Sequence, residues 1–526
     1  MNKEPRIRPP EPACLLLNKL QQAGHDAYIV GGCVRDSLLG RTPDDWDICT
    51  SARPEEMEAL FAGYRLLLKG KKHGTVAVVL EGHSWEITTF RQDGTYTDGR
   101  HPDQVHFVPC LREDLARRDF TVNAMAWSPE TGLVDLFGGQ RDLQAGLLRC
   151  VGDPAARFDE DALRILRAVR FASQLGFRLD PDTARAAFQA RNSVRCVSAE
   201  RIFTELDRLL AGFAAGTVLA RYGHVLAGAL PEIETCIGCT QPGRWHCYDV
   251  WDHTSAAVGA LDTEGLDARS ARVLRWAVLL HDMAKPLCRT VDDAGAAHFP
   301  GHNQRGGRLA RQILQRLRAP VFVIDGVSGL VAVHDGPLPS SDTEILEQLH
   351  LRGPLFLQRL CRLKLADLAA HTNNDAVAQR CREVREFSRR MEELARTGCY
   401  TVSGLAITGS DLIAAGLTPG PLVGNTLERL LQQVMQGTLP NDREALLQAV
   451  RAKQKLMHQL KNRPLLFWQR AVLPCYSFRS RSSRQVIYRS RKPCSSEIGQ
   501  QVAQTVENGI VPQSFPVDHT PSAPFP

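Results

Sequence analysis

The segment YIVGGCVRDSLLG, residues 28–40, decides the fold of the N-terminal part of the chain. It places Gly31 and Gly32 between an apolar strand and a stretch with helical spacing. Such a corner lets backbone N–H groups approach phosphate oxygens, and the start of a helix favours negative charge. Arg35, one turn along, is predicted to add a contact to phosphate. Taken alone, a glycine pair at the end of a strand is usually just a turn.

Two aspartates follow in DDWDICT, residues 44–50. If this run is a strand, Asp45 and Asp47 point to the same face and their carboxylates converge. Carboxylate oxygens suit Mg²⁺, and two metals held in this way can activate a 3′-hydroxyl and neutralise departing pyrophosphate. An acidic loop that caps the next helix is the alternative. Glu86, in the strand WEITTFR, either completes the metal site or faces solvent.

Outward from this segment, short apolar runs separated by turn residues predict a small sheet flanked by helices. These runs are Ala27–Val30, Thr75–Leu80, Trp85–Phe90 and Val105–Val108. From Asp159 onward, apolar residues recur at helical spacing with almost no strand signal. The sequence therefore predicts an α+β protein, with a small mixed sheet in an N-terminal head and an all-α body.

Composition excludes several classes of protein. The 526 residues are 43% hydrophobic and 23% charged, and the net charge of +6 is too small for a protein that coats DNA. No apolar run is long enough to span a membrane, and the N-terminus lacks the apolar core of a signal peptide. The fifteen scattered cysteines indicate free thiols. We therefore expect a cytoplasmic protein with no membrane partner; its oligomeric state stays open.

Six motifs together resemble the class II tRNA nucleotidyltransferase and bacterial poly(A) polymerase family, whose head is polymerase-β-like. They occur in family order and at family spacing: GGCVRD (31–36), DWD (45–47), ITTFR (87–91), RRDFTVNAM (117–125), DPAARF (153–158) and EDALRILR (160–167). The resemblance implies a Mg²⁺-dependent head in which Asp45, Asp47 and Glu86 are catalytic.

The same resemblance implies nucleotide-binding roles for Gly31, Gly32, Arg35, Arg117, Arg118, Asp119, Asn123, Asp161, Arg164 and Arg167. Asp119 can accept a hydrogen bond from a ribose hydroxyl. We expect the helical pair Asp161 and Arg164 to act as a protein template, because cytosine and adenine both present an amine beside an acceptor nitrogen. An ordinary exposed helical ion pair is the alternative.

Two stretches distinguish the activities within the family. LLLKGKKHGTVAVVL, residues 66–80, lacks the Gly-Arg-Arg-Phe typical of poly(A) polymerases, and RQDGTYTDGRHPDQV, residues 91–105, resembles the flexible loop of enzymes that complete the whole CCA end. We expect template-independent addition of CCA to tRNA from CTP and ATP. A poly(A) polymerase or an A-adding enzyme is the alternative.

Downstream, histidines and aspartates resemble the HD metal-dependent phosphohydrolase superfamily. The predicted ligands of a transition metal (Mn, Ni, Co or Fe) are His253, His281, Asp282, His302, His334 and Asp367. They indicate a hydrolytic side activity on RNA 3′ ends, and Lys285 is a candidate for meeting phosphate. A degenerate site is one alternative. Another is a protein that acts mainly as a phosphohydrolase, with its head as an RNA-binding module.

These expectations divide the chain into five parts. They are a catalytic head (1–148), a neck that recognises the base (149–215), a body with the HD domain (216–395), a tRNA-binding tail domain (396–463) and a disordered extension (464–526). The tail assignment rests on GSDLIAAGLTPGPLVGNTLERLLQQV, residues 409–434, which resembles the part of the family that grips the tRNA elbow. Cys236, Cys239, His246 and Cys247 are interpreted as spare residues rather than a zinc site.

Overall fold

A computed structural model describes residues 7–93, 105–242 and 248–461. Residues 1–457 form one compact unit; of the second unit, 458–526, only the end of a helix is described. The predicted flexible loop (mainly 94–104), His246, Cys247 and the extension 464–526 lie outside the described residues. No helix in the described ranges has both the length and the apolar character needed to cross a membrane.

Thirteen strands occur in the described chain. In chain order they are β1 (Ala27–Val30), β2 (Ile48–Thr50), β3 (Arg65–Leu67), β4 (Thr75–Leu80), β5 (His83–Thr89), β6 (Arg91–Asp93), β7 (Val105–Phe107), β8 (Met125–Ser128), β9 (Gly132–Asp135), β10 (Leu147–Leu148), β11 (Arg178–Leu179), β12 (Thr290–Val291) and β13 (Ala297–His298).

Seven of these strands form the sheet of the head, in the order β3-β4-β5-β2-β1-β8-β9. Only β2 and β5 run parallel, with Ile48 opposite Ile87, so the sheet is mixed as predicted. The run Val105–Val108 was expected in this sheet, but β7 pairs with β6 in a separate two-stranded ribbon. Both strands of this ribbon are three residues long. They are consecutive in the chain and pair with each other antiparallel, as strands joined by one connection commonly do.

The helices account for most of the remaining chain. They are α1 (Glu11–Gln22), α2 (Gly32–Leu38), α3 (Pro54–Leu60), α4 (Leu111–Ala116), α5 (Gly139–Ala145), α6 (Pro154–Glu160), α7 (Leu163–Leu175), α8 (Pro181–Gln189), α9 (Ala199–Leu210), α10 (Ala215–Leu226), α11 (Glu232–Cys236), α12 (Val250–Gly259), α13 (Ala268–Leu280), α14 (Lys285–Cys288), α15 (His302–Arg316), α16 (Val321–Val331), α17 (Asp342–Arg352), α18 (Pro354–Ala369), α19 (Asp375–Thr397), α20 (Gly409–Ala414), α21 (Pro421–Met435) and α22 (Arg443–Lys461).

Apolar packing divides these elements into clusters. On one face of the head sheet, Leu16 and Leu20 of α1 pack against Ile29, Ile48 and Ile87. A second cluster runs continuously from Phe120 to Ala370 and joins α7, α9, α10, α12, α13, α15, α16 and α18. Two smaller clusters lie within residues 345–394 and 405–450. The body is therefore a set of packed helices, and β11, β12 and β13 are its only described strands.

Candidate active site and candidate metal centre

The Gly31–Gly32 corner joins β1 directly to α2, as the sequence predicts. Gly31 has φ +88, a left-handed conformation that favours glycine. A Cβ atom there would lie 2.9 Å from Nη1 of Arg118. Glycine at this position therefore serves two purposes: it turns the chain into the helix, and it lets an arginine side chain lie against the backbone.

Asp45 and Asp47 precede β2 rather than lying in it, so their assignment to a strand was wrong. The strand begins at Ile48, where the side chains turn into the apolar core, although the carbonyl of Asp47 still accepts a hydrogen bond from the N–H of Val30 (3.0 Å). The acids are brought together by strand pairing instead of by alternation along one strand. Because Ile48 pairs with Ile87 in parallel register, Asp47 and Glu86 occupy neighbouring positions on the opposite face of the sheet.

Electrostatic coupling links the three acids. Partial desolvation raises the pKa of Asp47, and Asp45 raises it further while Arg118 opposes the shift. Partial desolvation also raises the pKa of Glu86, to which Asp47 and Asp45 both add. Carboxylates that raise one another's pKa are stabilised by a cation among them. The donor set therefore fits a divalent metal with oxygen ligands.

Arg117 and Arg118 converge on a buried carboxylate that the sequence analysis missed. Asp114 is fully buried in α4 and accepts hydrogen bonds from Arg117 (2.9 and 3.0 Å) and Arg118 (3.5 Å). The backbone N–H of Arg91 also donates to it (3.4 Å). A carboxylate three positions before the Arg-Arg-Asp motif was the available signal, but burial could not be read from the sequence.

Asp119 and Asn123 belong to a chain of hydrogen bonds that starts at the glycine corner. Arg35 is held by Asp36 (2.8 and 2.9 Å) and donates to the side-chain oxygen of Asn123 (2.7 Å). Asn123 donates to Asp119 (3.1 Å), which also accepts two hydrogen bonds from Arg167 (2.6 and 2.8 Å). We call these five residues the head–neck network. Arg35, expected to reach phosphate, is therefore occupied within the protein.

The charge state of Asp119 follows from this network. Burial by itself raises the pKa of the carboxyl group, but the Arg167 guanidinium and the Asn123 hydrogen bond outweigh burial and hold the pKa at about 2. Asp119 is therefore ionised throughout the neutral range, as an acceptor for a hydroxyl must be.

Asp161 and Arg164 do not lie on one continuous helix, contrary to expectation. The helix breaks at Asp161, whose φ of −143° and ψ of 104° are extended, and α7 begins two residues later. The Asp161 carboxylate accepts from the N–H of Leu163 (2.9 Å) and from Arg201 (3.2 Å). Arg164 instead pairs with Glu160 and donates to the carbonyl of Arg117 (3.1 Å). The two side chains thus have separate partners, and Arg201 and Glu160 are residues that sequence reasoning missed.

The six predicted HD residues come together in the body, although they come from five separate segments. Ligand atoms of His253, His281, Asp282 and Asp367 lie within 4.8 Å of one another, and so do those of Asp282, His302 and His334. We call these six residues the HD cluster. Asp282 belongs to both groups.

The histidines of the HD cluster are oriented by backbone carbonyl groups. The Nδ1 atoms of His281, His302 and His334 lie 2.7–2.8 Å from backbone carbonyl oxygens, so their Nε2 atoms face Asp282. Such backbone contacts orient metal-binding histidines in proteins. Nε2 of His281 lies 3.2 Å from the Asp282 carboxylate, and Nε2 of His302 and of His334 lie 3.5 and 3.6 Å from it. Imidazole nitrogens and carboxylate oxygens that converge in this way are ligands of borderline metals, so the residues fit a metal.

Charges around Asp282 complete the description. Burial lowers the pKa of His281, but Asp282 and Asp367 overcome burial and raise it to about 10. Lys285, expected to meet a phosphate, instead lies 2.7 Å from the Asp282 carboxylate and donates to Gln241 (2.7 Å). His371 was missed by sequence reasoning; its ring lies 5.0 Å from that of His253.

Comparison with known proteins agrees with this geometry. The family described as the Poly A polymerase head domain matches residues 27–149, the region of the mixed sheet, the glycine corner and the acids. Two further families match: the Probable RNA and SrmB-binding site of polymerase A at residues 176–236, and tRNA nucleotidyltransferase domain 2 at residues 369–450. The protein is thus a nucleotidyltransferase with a polymerase-β-like head.

Curated relatives narrow the class. The chain is 50% identical to the CCA-adding enzyme of Bacillus licheniformis, over 82% of this chain and 95% of that enzyme. It is 37% identical to that of Geobacillus thermodenitrificans, over 83% and 96%. The crystal structure of the Bacillus stearothermophilus CCA-adding enzyme in complex with CTP superposes with a TM-score of 0.60 at 31% identity, covering 85% of this chain and 98% of that one. The chain belongs to the family of CCA-adding enzymes.

Proposed function

We propose that this protein completes or repairs the CCA end of tRNA, adding C, C and A from CTP and ATP with release of pyrophosphate and without a nucleic-acid template. The observation that carries the proposal is that Asp47 and Glu86 each directly precede the parallel pair Ile48–Ile87, next to the glycine corner, in a chain that belongs to the CCA-adding family. A relative that is 50% identical over 95% of its length supports the same activity.

In this proposal Asp45 and Asp47 hold Mg²⁺, with Glu86 supporting them. The metal, when bound, lowers the pKa of the attacking 3′-hydroxyl and neutralises charge on the leaving pyrophosphate. The chain supplies the remaining functions. Gly31 keeps the corner open to phosphate, and Arg118, which lies against it, is placed to meet the triphosphate.

Base selection falls to Asp161 and Arg164 in the neck. A carboxylate accepts from the exocyclic amine of cytosine or adenine, and a guanidinium donates to the neighbouring ring nitrogen. Uracil and guanine present a carbonyl beside an N–H and are rejected. Because Asp161 is held by Arg201 and Arg164 by Glu160, base binding requires these side chains to exchange partners.

The remaining domain assignments follow the same proposal. In this proposal the neck (149–215), body (216–395) and tail domain (396–463) track the tRNA backbone. Of the arginines that follow the head, Arg195 is exposed and Arg191 and Arg201 are partly exposed, whereas Arg164 and Arg170 are buried. The twelve cysteines in the described chain are all free thiols, which supports a reducing, cytoplasmic setting.

The experiment uses tRNA transcripts that end before CCA, after C and after CC, each with Mg²⁺ and labelled CTP or ATP. Ordered addition of C, C and A that then stops is the expected result. Extension of only the CC-ended transcript by ATP would mean an A-adding enzyme, and a long adenosine tail would mean a poly(A) polymerase. Asp45→Ala and Asp47→Ala should abolish transfer, whereas Asp44→Ala, an exposed neighbour, is the matched control.

A second activity is favoured by the HD cluster. Its two groups of converging ligand atoms, which share Asp282, support a bound transition metal (Mn, Ni, Co or Fe) and hydrolysis of phosphate at RNA 3′ ends. In that reaction the water oxygen bonds to phosphorus, the phosphorus–ribose oxygen bond breaks, and the ribose oxygen takes a proton.

Metal analysis and phosphate release test this second activity. Purified protein is assayed for bound transition metal and for hydrolysis of 2′,3′-cyclic phosphate and of 2′- and 3′-monophosphate. Asp282→Asn should remove both metal and hydrolysis while CCA addition continues, and Asp47→Ala should do the reverse. A metal-free protein without hydrolysis would reduce the HD cluster to a structural remnant.

A further inference from the structure

A large cavity adjoins the HD cluster and has no part in nucleotide transfer by the head. Its volume is about 1050 Å³, and its walls come from α17, α18, α19 and the segment after α16. Two members of the HD cluster, His334 and Asp367, line it. A cavity of this size exceeds what a drug-sized ligand needs, so a nucleotide with part of an attached chain can enter.

The walls of the cavity differ in chemistry from one part to another. Ile345, Leu368, Val384 and Phe387 are buried apolar side chains and form an apolar floor. These side chains also pack in the apolar cluster of residues 345–394, so the parts of them that line the cavity offer an apolar contact to a base. The polar wall is on the side of the HD cluster, where His334 and Asp367 lie.

Lys364 is the cation best placed to meet a phosphate there. It lies one helical turn before Asp367 on the same face of α18. One of its three donors is used by the carbonyl of Gly336 (2.7 Å), and the side chain lines the cavity. The rim carries both signs, with Arg380 and Arg382 beside Asp335 and Glu383, so the rim does not by itself select an anion.

We propose that this cavity is the substrate pocket of the HD cluster, and that it takes the phosphorylated terminal nucleotide of an RNA. The base lies on the apolar floor, and the phosphate lies between Lys364 and the metal-binding residues His334 and Asp367. The open side of the cavity leads the rest of the RNA out to solvent. The inference rests on the proposed hydrolytic function and names its ligand and the side chains that select it.

Binding to the full-length, Mn²⁺-loaded protein tests the pocket without relying on turnover. The probe is the methylenephosphonate analogue of adenosine 3′-monophosphate, whose carbon–phosphorus bond cannot be hydrolysed, and the readout is calorimetry. Methylphosphonate, which lacks ribose and base, should bind at least tenfold more weakly. Lys364→Met keeps the side-chain stem and removes the charge, so it should weaken binding of the nucleotide analogue about tenfold or more.

A cavity-filling variant provides a second, independent test of the pocket. Leu338→Trp should block the pocket, and Leu351→Trp, at a leucine that is 68% exposed and outside the cavity, is the matched control. CCA addition and Mn²⁺ content should be unchanged in both variants, and thermal unfolding shows whether each is folded.

The outcomes separate the pocket from the activity. The pocket assignment is wrong if Lys364→Met and Leu338→Trp leave binding of the analogue unchanged while Mn²⁺ content and hydrolysis are normal. The hydrolytic function would then still stand. Equal binding of methylphosphonate and the nucleotide analogue would refute the apolar floor as a base site. Protein that takes up no Mn²⁺ would overturn the hydrolytic function, and the pocket with it.

Discussion

Replacing Asp119 by asparagine should destabilise the protein by an amount that depends on pH. The carboxyl group is 8% exposed, and its pKa lies at about 2 instead of the ordinary 3.8. At about 1.36 kcal/mol per pKa unit, this difference corresponds to roughly 2 kcal/mol of stability at neutral pH. Asp119→Asn removes the charge that Arg167 faces and should lower the free energy of unfolding by about that amount at pH 7.

The sign of the pH dependence follows from the lowered pKa. The folded state favours the ionised carboxylate, so the contribution of Asp119 is complete above the ordinary pKa and disappears as pH falls from 3.8 toward 2. At pH 3 roughly 1 kcal/mol of it should remain. The difference in unfolding free energy between the native chain and Asp119→Asn should therefore narrow by nearly half between pH 7 and pH 3.

Urea denaturation at several pH values measures this difference. Asp182→Asn is the matched control, because Asp182 pairs with Arg185 on the surface, where both side chains are at least 65% exposed. Such a pair contributes about 0–1 kcal/mol. A loss below about 0.5 kcal/mol in Asp119→Asn, or a difference that does not narrow toward pH 3, would refute the reasoning.

Three further predictions concern the head. Gly31→Ala should raise KM for CTP and ATP, because the new Cβ would lie 2.9 Å from Arg118. Gly24→Ala is the control: Gly24 also has a positive φ (+86) but no atom within 4 Å of the added Cβ, so this variant should have a lower Tm and normal kinetics. Asp114→Asn should lower the free energy of unfolding in urea by about 2 kcal/mol, because Arg117 and Arg118 lose their carboxylate partner but are partly exposed and regain water. In the same variant, KM for the nucleotides should rise by a larger factor than kcat falls. EDTA should stop labelled CTP incorporation and excess Mg²⁺ restore it; transfer that persists in EDTA would contradict a metal role.

The strands of the head could be predicted because their signals are local. Ala27–Val30 and Thr75–Leu80 are strands over the residues predicted, since each is a short apolar run bounded by turn residues. The glycine corner followed from residue type alone, because Gly31 adopts a positive φ. The strand pairing was not predicted, and that pairing is what brings Glu86 beside Asp47.

The break at Asp161 escaped the sequence analysis because helical spacing of apolar residues continues across it. Leu163, Leu166 and Phe158 all remain buried, so the periodic pattern carries no mark of the interruption. Asp161 itself was a signal, since an aspartate whose side chain accepts from the N–H two residues later is common at helix starts.

Partner choice among the charged residues could not be predicted. Asp161 and Arg201 are forty positions apart, and Asp119 and Arg167 are forty-eight apart, so only the fold brings each pair together. The HD cluster was predicted more completely, because its histidines and aspartates resemble the ligand pattern of the HD superfamily, and the structure brings all six together.

The head–neck network has a consequence for how a ribonucleotide enters. An ionised carboxylate has about four lone-pair sites, and Asp119 accepts from Phe120 N–H, from Asn123 and twice from Arg167. A ribose hydroxyl that reaches Asp119 must therefore take the place of a donor already there. Binding of the sugar hydroxyl at Asp119 therefore replaces one hydrogen bond with another, so the net change in enthalpy is small. Selectivity for the sugar depends on which of the four donors leaves the carboxylate.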